Sequence, residues 1–414
     1  MDGLRSSTTL KKILYISYDG MTDQLGQSQV IPYLAGLAEL GYEFHVLSVE
    51  KKQRYAENNK KIRELLSASG IKWTTLFFSS RPPLLSKLYD QYRLNKAAEK
   101  ICRSEKIDLV HCRSYVAAAA GRKASRKLKI PFLFDMRGFW VDERVDSGLW
   151  DLKKPLYRFI YKRYKKKEKN YLAESAHIIS LTRKGKDELV SSYAVPEQKI
   201  TVIPCCADLE LFNYTRVSED QKNSVREMLS LPAGTPVISY LGSLGGWYLT
   251  KEMLEFFREL RKELKNAVFL FITHDDKEKI LALAASAGIG PDAIRVKPAA
   301  RKEVPLLLSV SDWNIFFIKD AYSKKASSPT KQGEVMAMGI PVICNDIGDT
   351  GTIVNQFKSG IVVPSFTEQN YTAAINGLLK ARFDRAAIRE GAMQVYDLGL
   401  GVKKYSTVYS SILS

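Results

Sequence analysis

The chain has 414 residues, 45% of them hydrophobic and 26% charged, which at roughly 150 residues per domain points to two or three domains and excludes a disordered or collagen-like protein. Its 63 Lys and Arg against 45 Asp and Glu leave a formal charge of +18, a balance that calls for an anionic partner: nucleic acid, a phosphorylated substrate or an acidic membrane face. Five cysteines with no C-x-x-C pair and only four histidines argue against a disulfide framework or a zinc site and for a reducing cytoplasmic setting.

Residues 13–18 form the first apolar, β-rich run, read as a buried strand. A glycine-punctuated polar loop follows over 19–26. Val30, Tyr33, Leu34 and Leu37 then recur at helical spacing before Gly41 stops the helix. Further strands are expected at 44–49, 73–78, 109–111, 132–135, 178–181 and 200–203, with helical patterns between them. Such alternation implies a mostly parallel sheet with helices on both faces. After an irregular stretch from 204 to about 236 the pattern restarts. Strands are expected at 237–241, 267–273, 294–296, 313–318, 341–344 and 361–363, with a Gly-rich turn over 242–246. Two successive α/β series predict two similarly built lobes with a cleft between them, ligands meeting the carboxyl ends of the strands. The boundaries expected are 1–205 and 206–395, with a final helix over about 396–414 returning to the first lobe. The first twelve residues lack the apolar centre of a signal peptide, and no run approaches ~18 apolar residues.

Residues 328–343 read Ser-Pro-Thr-Lys-Gln-Gly-Glu-Val-Met-Ala-Met-Gly-Ile-Pro-Val-Ile. Residues 202–208 read Val-Ile-Pro-Cys-Cys-Ala-Asp with Phe212 beyond, and residues 25–29 read Leu-Gly-Gln-Ser-Gln. Taken together along nearly the whole chain, these segments resemble the retaining glycosyltransferases of family 4, whose two-Rossmann-lobe architecture is called GT-B. The resemblance implies an α/β GT-B fold with an acceptor-binding first lobe and a nucleotide-sugar-binding second lobe. It also implies transfer to a glycan or lipid-linked acceptor in polysaccharide or glycolipid biosynthesis, from a UDP-sugar by family frequency. Two departures stand out: Ala326 occupies the place of the family's first paired glutamate, and the turn after 237–241 carries none of the usual Arg and Lys.

A nucleotide-sugar diphosphate gains charge as its glycosidic bond breaks, so cations and aligned N–H groups beside it favour the transition state. Ser328, Thr330 and Lys331 at a helix start suit that task; the alternative is an ordinary N-cap with a solvated lysine. Glu334 takes the ribose hydroxyls by the family pattern, or else serves its helix as a capping-box acid. Gly242 and Ser243, with Gly26 of the first lobe, complete the expected donor set. His111, Arg113 and Arg137 are the catalytic candidates, at strand ends where the family carries histidines; Arg113 cannot act as a base but can hold an anionic acceptor or the leaving phosphate. His111 reads equally as a core histidine. Gln27, Ser28 and Trp140 are the acceptor-site candidates; the loop around Trp140 is otherwise a salt-bridge cluster beside buried aromatics. No paired-carboxylate mechanism is expected, and no cofactor or metal is required.

Residues 151–186 hold twelve Lys and Arg against three acids, and Leu156, Phe159, Ile160 and Tyr164 share one helical face there. An anionic membrane surface meeting 153–169 is one reading; an apolar stripe packed on its own sheet is the other. The resulting placement is cytoplasmic, peripheral on the inner face of the membrane. Two other functions compete. A nucleotide-sugar epimerase would share the fold, and a basic nucleic-acid-binding protein would use the same charge, although no nucleic-acid motif is present.

Overall fold

The structure, a computed structural model, describes residues 10–414, which divide into two compact units: one runs to Pro204 and resumes at Leu398–Ser414, the other is Cys205–Asp397. Among the described residues the first unit has seven strands: β1 (Lys11–Ser17), β2 (Tyr42–Glu50), β3 (Lys72–Phe77), β4 (Leu109–Arg113), β5 (Phe132–Asp135), β6 (His177–Ser180) and β7 (Ile200–Val202). They form one parallel sheet in the order β3-β2-β1-β4-β5-β6-β7. The order reverses between β1 and β4, the switch point where open α/β sheets bind ligands. Register aligns Ser17 with Arg113 and Arg113 with Asp135 at the carboxyl edge.

The helix Leu398–Leu413 belongs to this first unit. It packs on the helix Ile31–Glu39, where a Cβ at Gly36 would stand 2.9 Å from Val402 Cγ2. The Tyr42 hydroxyl donates to the Ser406 carbonyl at 3.2 Å, and the Tyr405 and Tyr409 rings are buried against the sheet.

The second unit holds β8 (Val237–Leu241), β9 (Val268–Ile272), β10 (Ile294–Lys297), β11 (Trp313–Phe316), β12 (Val342–Cys344) and β13 (Gly360–Val362). They form a second parallel sheet in the order β10-β9-β8-β11-β12-β13, again reversing beside its first strand. Phe256, Phe257, Phe269 and Phe271 are fully buried in its core, each such side chain contributing about 1.5–3 kcal/mol of transfer free energy.

Every strand expected from the sequence is present, with ends shifted by a residue or two. The clearest shift is at β11, which stops at Phe316 because Ile318 leaves the parallel ladder to pair antiparallel with Tyr248. The stretch 204–236, read as irregular, contains a helix, Glu219–Met228. Its start is a reciprocal capping box: Ser218 Oγ accepts from Gln221 N, and Gln221 Oε1 accepts from Ser218 N.

Candidate active site

In the second unit, the turn leaving β8 and the helix Thr330–Ala337 form one polar corner. Gly242 has φ +109, open to glycine at little cost, and a Cβ there would lie 3.3 Å from Lys331 Nζ. Lys331 is almost wholly buried. Its ammonium donates to the Tyr240 hydroxyl at 3.1 Å and lies 4.1 Å from the Tyr240 ring centre. The Tyr240 hydroxyl in turn donates to the Ser243 carbonyl at 2.5 Å. Burial pushes the Lys331 amine well below the usual lysine range, against an opposing pull from Glu334. The cation that the turn 242–248 lacks is thus delivered from another element. Lys331 Nζ also lies over the ring of Tyr248, in the turn after β8. Neither tyrosine was among the expected site residues, because nothing local ties the strand residue Tyr240 or the turn residue Tyr248 to a lysine so far along the chain.

Glu334, one turn further along the helix, is buried and accepts from Arg301 Nη1 at 2.6 Å. Arg301 follows β10 and lies over the Phe212 ring at 5.3 Å. No local pattern marks it as a partner of Glu334. The helix is not capped by a side chain: its N-cap is Pro329, and Ser328 Oγ instead accepts from Cys205 N at 3.1 Å. Gly333 admits the helix Arg385–Tyr396, since a Cβ there would meet Tyr396 Cγ at 2.7 Å.

In the first unit, Arg113 closes β4 beside the switch point, 5% exposed, with Nε and Nη1 lacking a hydrogen-bond partner. Its nearest carboxylate is Asp19, 3.6 Å away. The next residue, Ser114, has φ +66; across the register, Arg137 has φ +57 and Gly138 φ +120. Left-handed backbone at a non-glycine costs of order 1–3 kcal/mol and concentrates at functional sites. The turn brings Arg137 Nη1 to 3.8 Å from Asp135 Oδ1, a buried oxygen with no hydrogen-bond donor. Burial raises the Asp135 carboxyl, but Arg137, His111 and Arg113 outweigh it and hold the group below the usual range.

His111 lies two residues before Arg113 and faces the fold. The ring is 2% exposed, with Nδ1 2.6 Å from the Tyr409 hydroxyl and Nε2 3.4 Å from Asp135 Oδ2. Burial lowers its pKa, against an opposing pull from Asp135, and the ring touches that carboxylate rather than solvent. Tyr409 of the C-terminal helix meets one ring nitrogen and Asp135 of β5 the other, so of the two readings the ring fits that of a core histidine.

Gly26, Gln27 and Ser28 are also committed locally. A Cβ at Gly26 would stand 2.3 Å from the Gly20 carbonyl oxygen, Gln27 Nε2 donates to the Thr22 carbonyl at 3.1 Å, and Ser28 Oγ donates to the Gln24 carbonyl at 2.8 Å. Gly26 therefore serves the close packing of the loop after β1. What holds that loop is Glu50, which the sequence reading overlooked. Its buried carboxylate accepts from Met21 N, Thr22 N, Thr22 Oγ1 and Ser48 Oγ at 2.5–3.2 Å. Trp140 is half-buried in an aromatic group with Tyr115, Trp150 and Tyr164, under the Arg144 guanidinium at 4.7 Å.

Two Rossmann-like parallel sheets in one chain, each carrying polar loops on its carboxyl edge, define the GT-B class. Residues 26–211 match Glycosyltransferase Family 4 and residues 221–395 match Glycosyl transferases group 1; the chain belongs to these glycosyltransferases, which selects a transferase over an epimerase of the same fold. Among curated relatives it is 24% identical over 293 residues to a D-inositol 3-phosphate glycosyltransferase of Jonesia denitrificans, an alignment covering 69% of this chain and 66% of that protein. The chain thus spans just under two thirds of that relative's length. Among solved structures, a glycosyltransferase from Rickettsia africae ESF-5 superposes with TM-score 0.71 at 15% identity, covering 98% of this chain and 99% of that one. Anabaena Alr3699/HepE in complex with UDP and glucose superposes with TM-score 0.68 at 15% identity, covering 97% and 100%.

Proposed function

We propose that the chain moves a sugar from a nucleoside-diphosphate sugar, in the first instance a UDP-sugar, to an acceptor bearing an anionic group, with retention at the anomeric carbon. The single observation that carries the donor assignment is the buried Lys331 ammonium, whose one opposing carboxylate, Glu334, is engaged with Arg301. A desolvated cation of this kind favours the arrival of a dianion. In this reading Lys331, the Ser243 backbone and the helix start at Ser328 and Thr330 hold the diphosphate. Glu334, steadied through Oε1 by Arg301, offers Oε2 to the ribose. The bond from the sugar C1 to the phosphate oxygen breaks while the acceptor oxygen bonds C1 on the same face, and the acceptor proton passes to the departing diphosphate. Lys331 then stabilises the charge that grows on the leaving group. No metal ion takes part.

Arg113 and Arg137 hold the anionic part of the acceptor, a glycan or lipid-linked molecule of polysaccharide or glycolipid synthesis. Two unsatisfied guanidinium nitrogens of Arg113 at the switch point support this, as does the phosphorylated compound, D-inositol 3-phosphate, in the name of the curated relative. Gln27, Ser28 and Trp140 border it. Five free cysteines, all buried, suit a cytoplasmic setting.

The test is a thermal-shift screen with UDP, GDP, ADP and their sugars, since a ligand of the native state raises the melting temperature by mass action, followed by calorimetry on Glu334→Ala. Weaker nucleotide binding with an unchanged melting temperature of the free protein supports the assignment; an unchanged nucleotide affinity removes Glu334 from the site.

A further inference from the structure

The helix Pro83–Glu105 is amphipathic in the ordinary sense only from its middle onward, where Leu94, Ala98 and Ile101 are buried. Its first turns are inverted. Ser86 and Asp90 point inward at 3% exposure, while Leu85 at 63% and Leu88 at 69%, with Tyr89 and Tyr92, face solvent. These four positions follow the i, i+3, i+4, i+7 rule, so they make one continuous apolar stripe. The inversion is locked from inside: Asp90 Oδ2 accepts from the Tyr18 hydroxyl at 3.1 Å and from Ser79 N at 3.0 Å.

The helix Pro155–Glu174 repeats the arrangement. It buries Glu168 and Tyr171 but leaves Leu156 and Phe159 exposed, the latter at 64%. The first half of its apolar face therefore does not cover the unit's own sheet. Both helices start on the carboxyl edge of that sheet, one after β3 and the other beyond β5. Lys87 at the start of the first helix lies 3.6 Å over the Phe78 ring and is repelled by the Arg144 guanidinium, which covers the Trp140 ring; Trp140 in turn packs on Tyr164 of the second helix.

We propose that these two helix starts form a docking face for an anionic lipid bilayer. Exposed contiguous apolar stripes of this kind mark interaction surfaces. The charge around them selects the partner: Lys153, Lys154, Arg158, Lys162, Arg163 and Lys166 flank Leu156 and Phe159, and twelve Lys and Arg stand against three acids over 151–186. A second copy of the chain would bring the same positive charge and be repelled, whereas an acidic headgroup layer attracts each basic side chain by about 1 kcal/mol. Leu85, Leu88 and Phe159 enter the boundary between headgroups and acyl chains, and Tyr89 and Tyr92 sit at headgroup level. Since the edge that docks also carries Arg113 and Arg137, a lipid-linked substrate would be presented beside them. The docking face itself does not depend on the transferase reading.

The experiment is vesicle flotation of the full chain, with phosphatidylglycerol–phosphatidylcholine vesicles against pure phosphatidylcholine vesicles, at low and high salt. The wild type floats with the anionic vesicles only, and less at high salt. The double variant Leu85→Ser, Leu88→Ser loses about tenfold or more in partitioning with the melting temperature retained, because both side chains are exposed. Phe159→Ser, an independent variant, loses partitioning too, and Lys153→Glu with Lys154→Glu removes the salt dependence. Flotation of the serine variants at the wild-type level, or failure of the wild type to float, overturns the proposal. So does an oligomer that sedimentation finds in the wild type and not in the variants, which would make the face a contact between copies.

Discussion

Lys331 Nζ lies 3.6 Å from the centre of the Tyr248 ring, so an ammonium on a helix start and an aromatic ring from the turn after β8 close one corner of the second unit. Two tyrosine faces and one hydroxyl replace the water that an exposed lysine would keep. They do so incompletely, and the amine is correspondingly less basic.

Replacing the ammonium by a group of similar length and no charge separates binding from folding. Lys331→Met is expected to weaken nucleoside-diphosphate binding by about one hundredfold, the loss of a charge-assisted contact in a desolvated site. The free variant should melt a few degrees higher, since a buried charge whose one nearby carboxylate is engaged by Arg301 is costly. Calorimetric titration with UDP and thermal melting check the two halves separately.

Proton linkage follows from the same group. Lys331 is charged in both folded and unfolded chains below its lowered folded pKa, and there the full cost of burying the charge is present. Between the folded pKa and the ordinary lysine value the unfolded chain binds the extra proton, so this group's contribution makes stability rise with pH across that window. Nucleotide affinity runs the other way: a dianion needs the ammonium, so affinity declines as pH climbs through the folded pKa, and binding takes up protons there. Titrations in buffers of different ionisation enthalpy measure that uptake, which disappears in Lys331→Met.

Arg113→Met should leave nucleotide affinity unchanged and raise the acceptor KM by about tenfold to one hundredfold, the range for a charged hydrogen-bond pair. Arg113→Lys recovers only part of this, because an ammonium lacks the planar fork. Initial rates with acceptor and donor varied in turn resolve the two effects; an equal loss in nucleotide affinity would detach Arg113 from the acceptor.

Glu50→Ala removes one carboxylate and strands three donors of the loop after β1 and the Ser48 hydroxyl of β2. The expected cost is about 3 kcal/mol, or a fall of about 6–12 °C in the melting temperature of a unit this size. Thermal unfolding followed by circular dichroism measures it.

Chelation tests the metal-free reading of the donor corner. Sugar transfer by the purified chain should proceed at the same rate with and without excess EDTA, and a rate restored only by an added divalent cation would replace Lys331 with a metal as the main partner of the diphosphate.

The thirteen described strands were legible because each is a short β-rich run between turn signals, and the central ones, buried on both faces, are continuously apolar. The alternation of those runs with helical patterns was enough to place two parallel sheets, and residues 328–343 were enough to single out the corner at Glu334. The capping box at Ser218 and Gln221 was equally local and was passed over because the residues around it are polar. Partners are another matter. Glu334 and Arg301 are 33 positions apart, Lys331 and Tyr240 are 91, and His111 and Tyr409 are 298; no periodicity connects them. Packing alone decides whether a strand-end histidine meets solvent or a tyrosine helix, and whether a leucine stripe covers a sheet or faces water. Composition and spacing report what each segment prefers, while the burial that sets a lysine's charge or a carboxylate's partner exists only once distant segments have met.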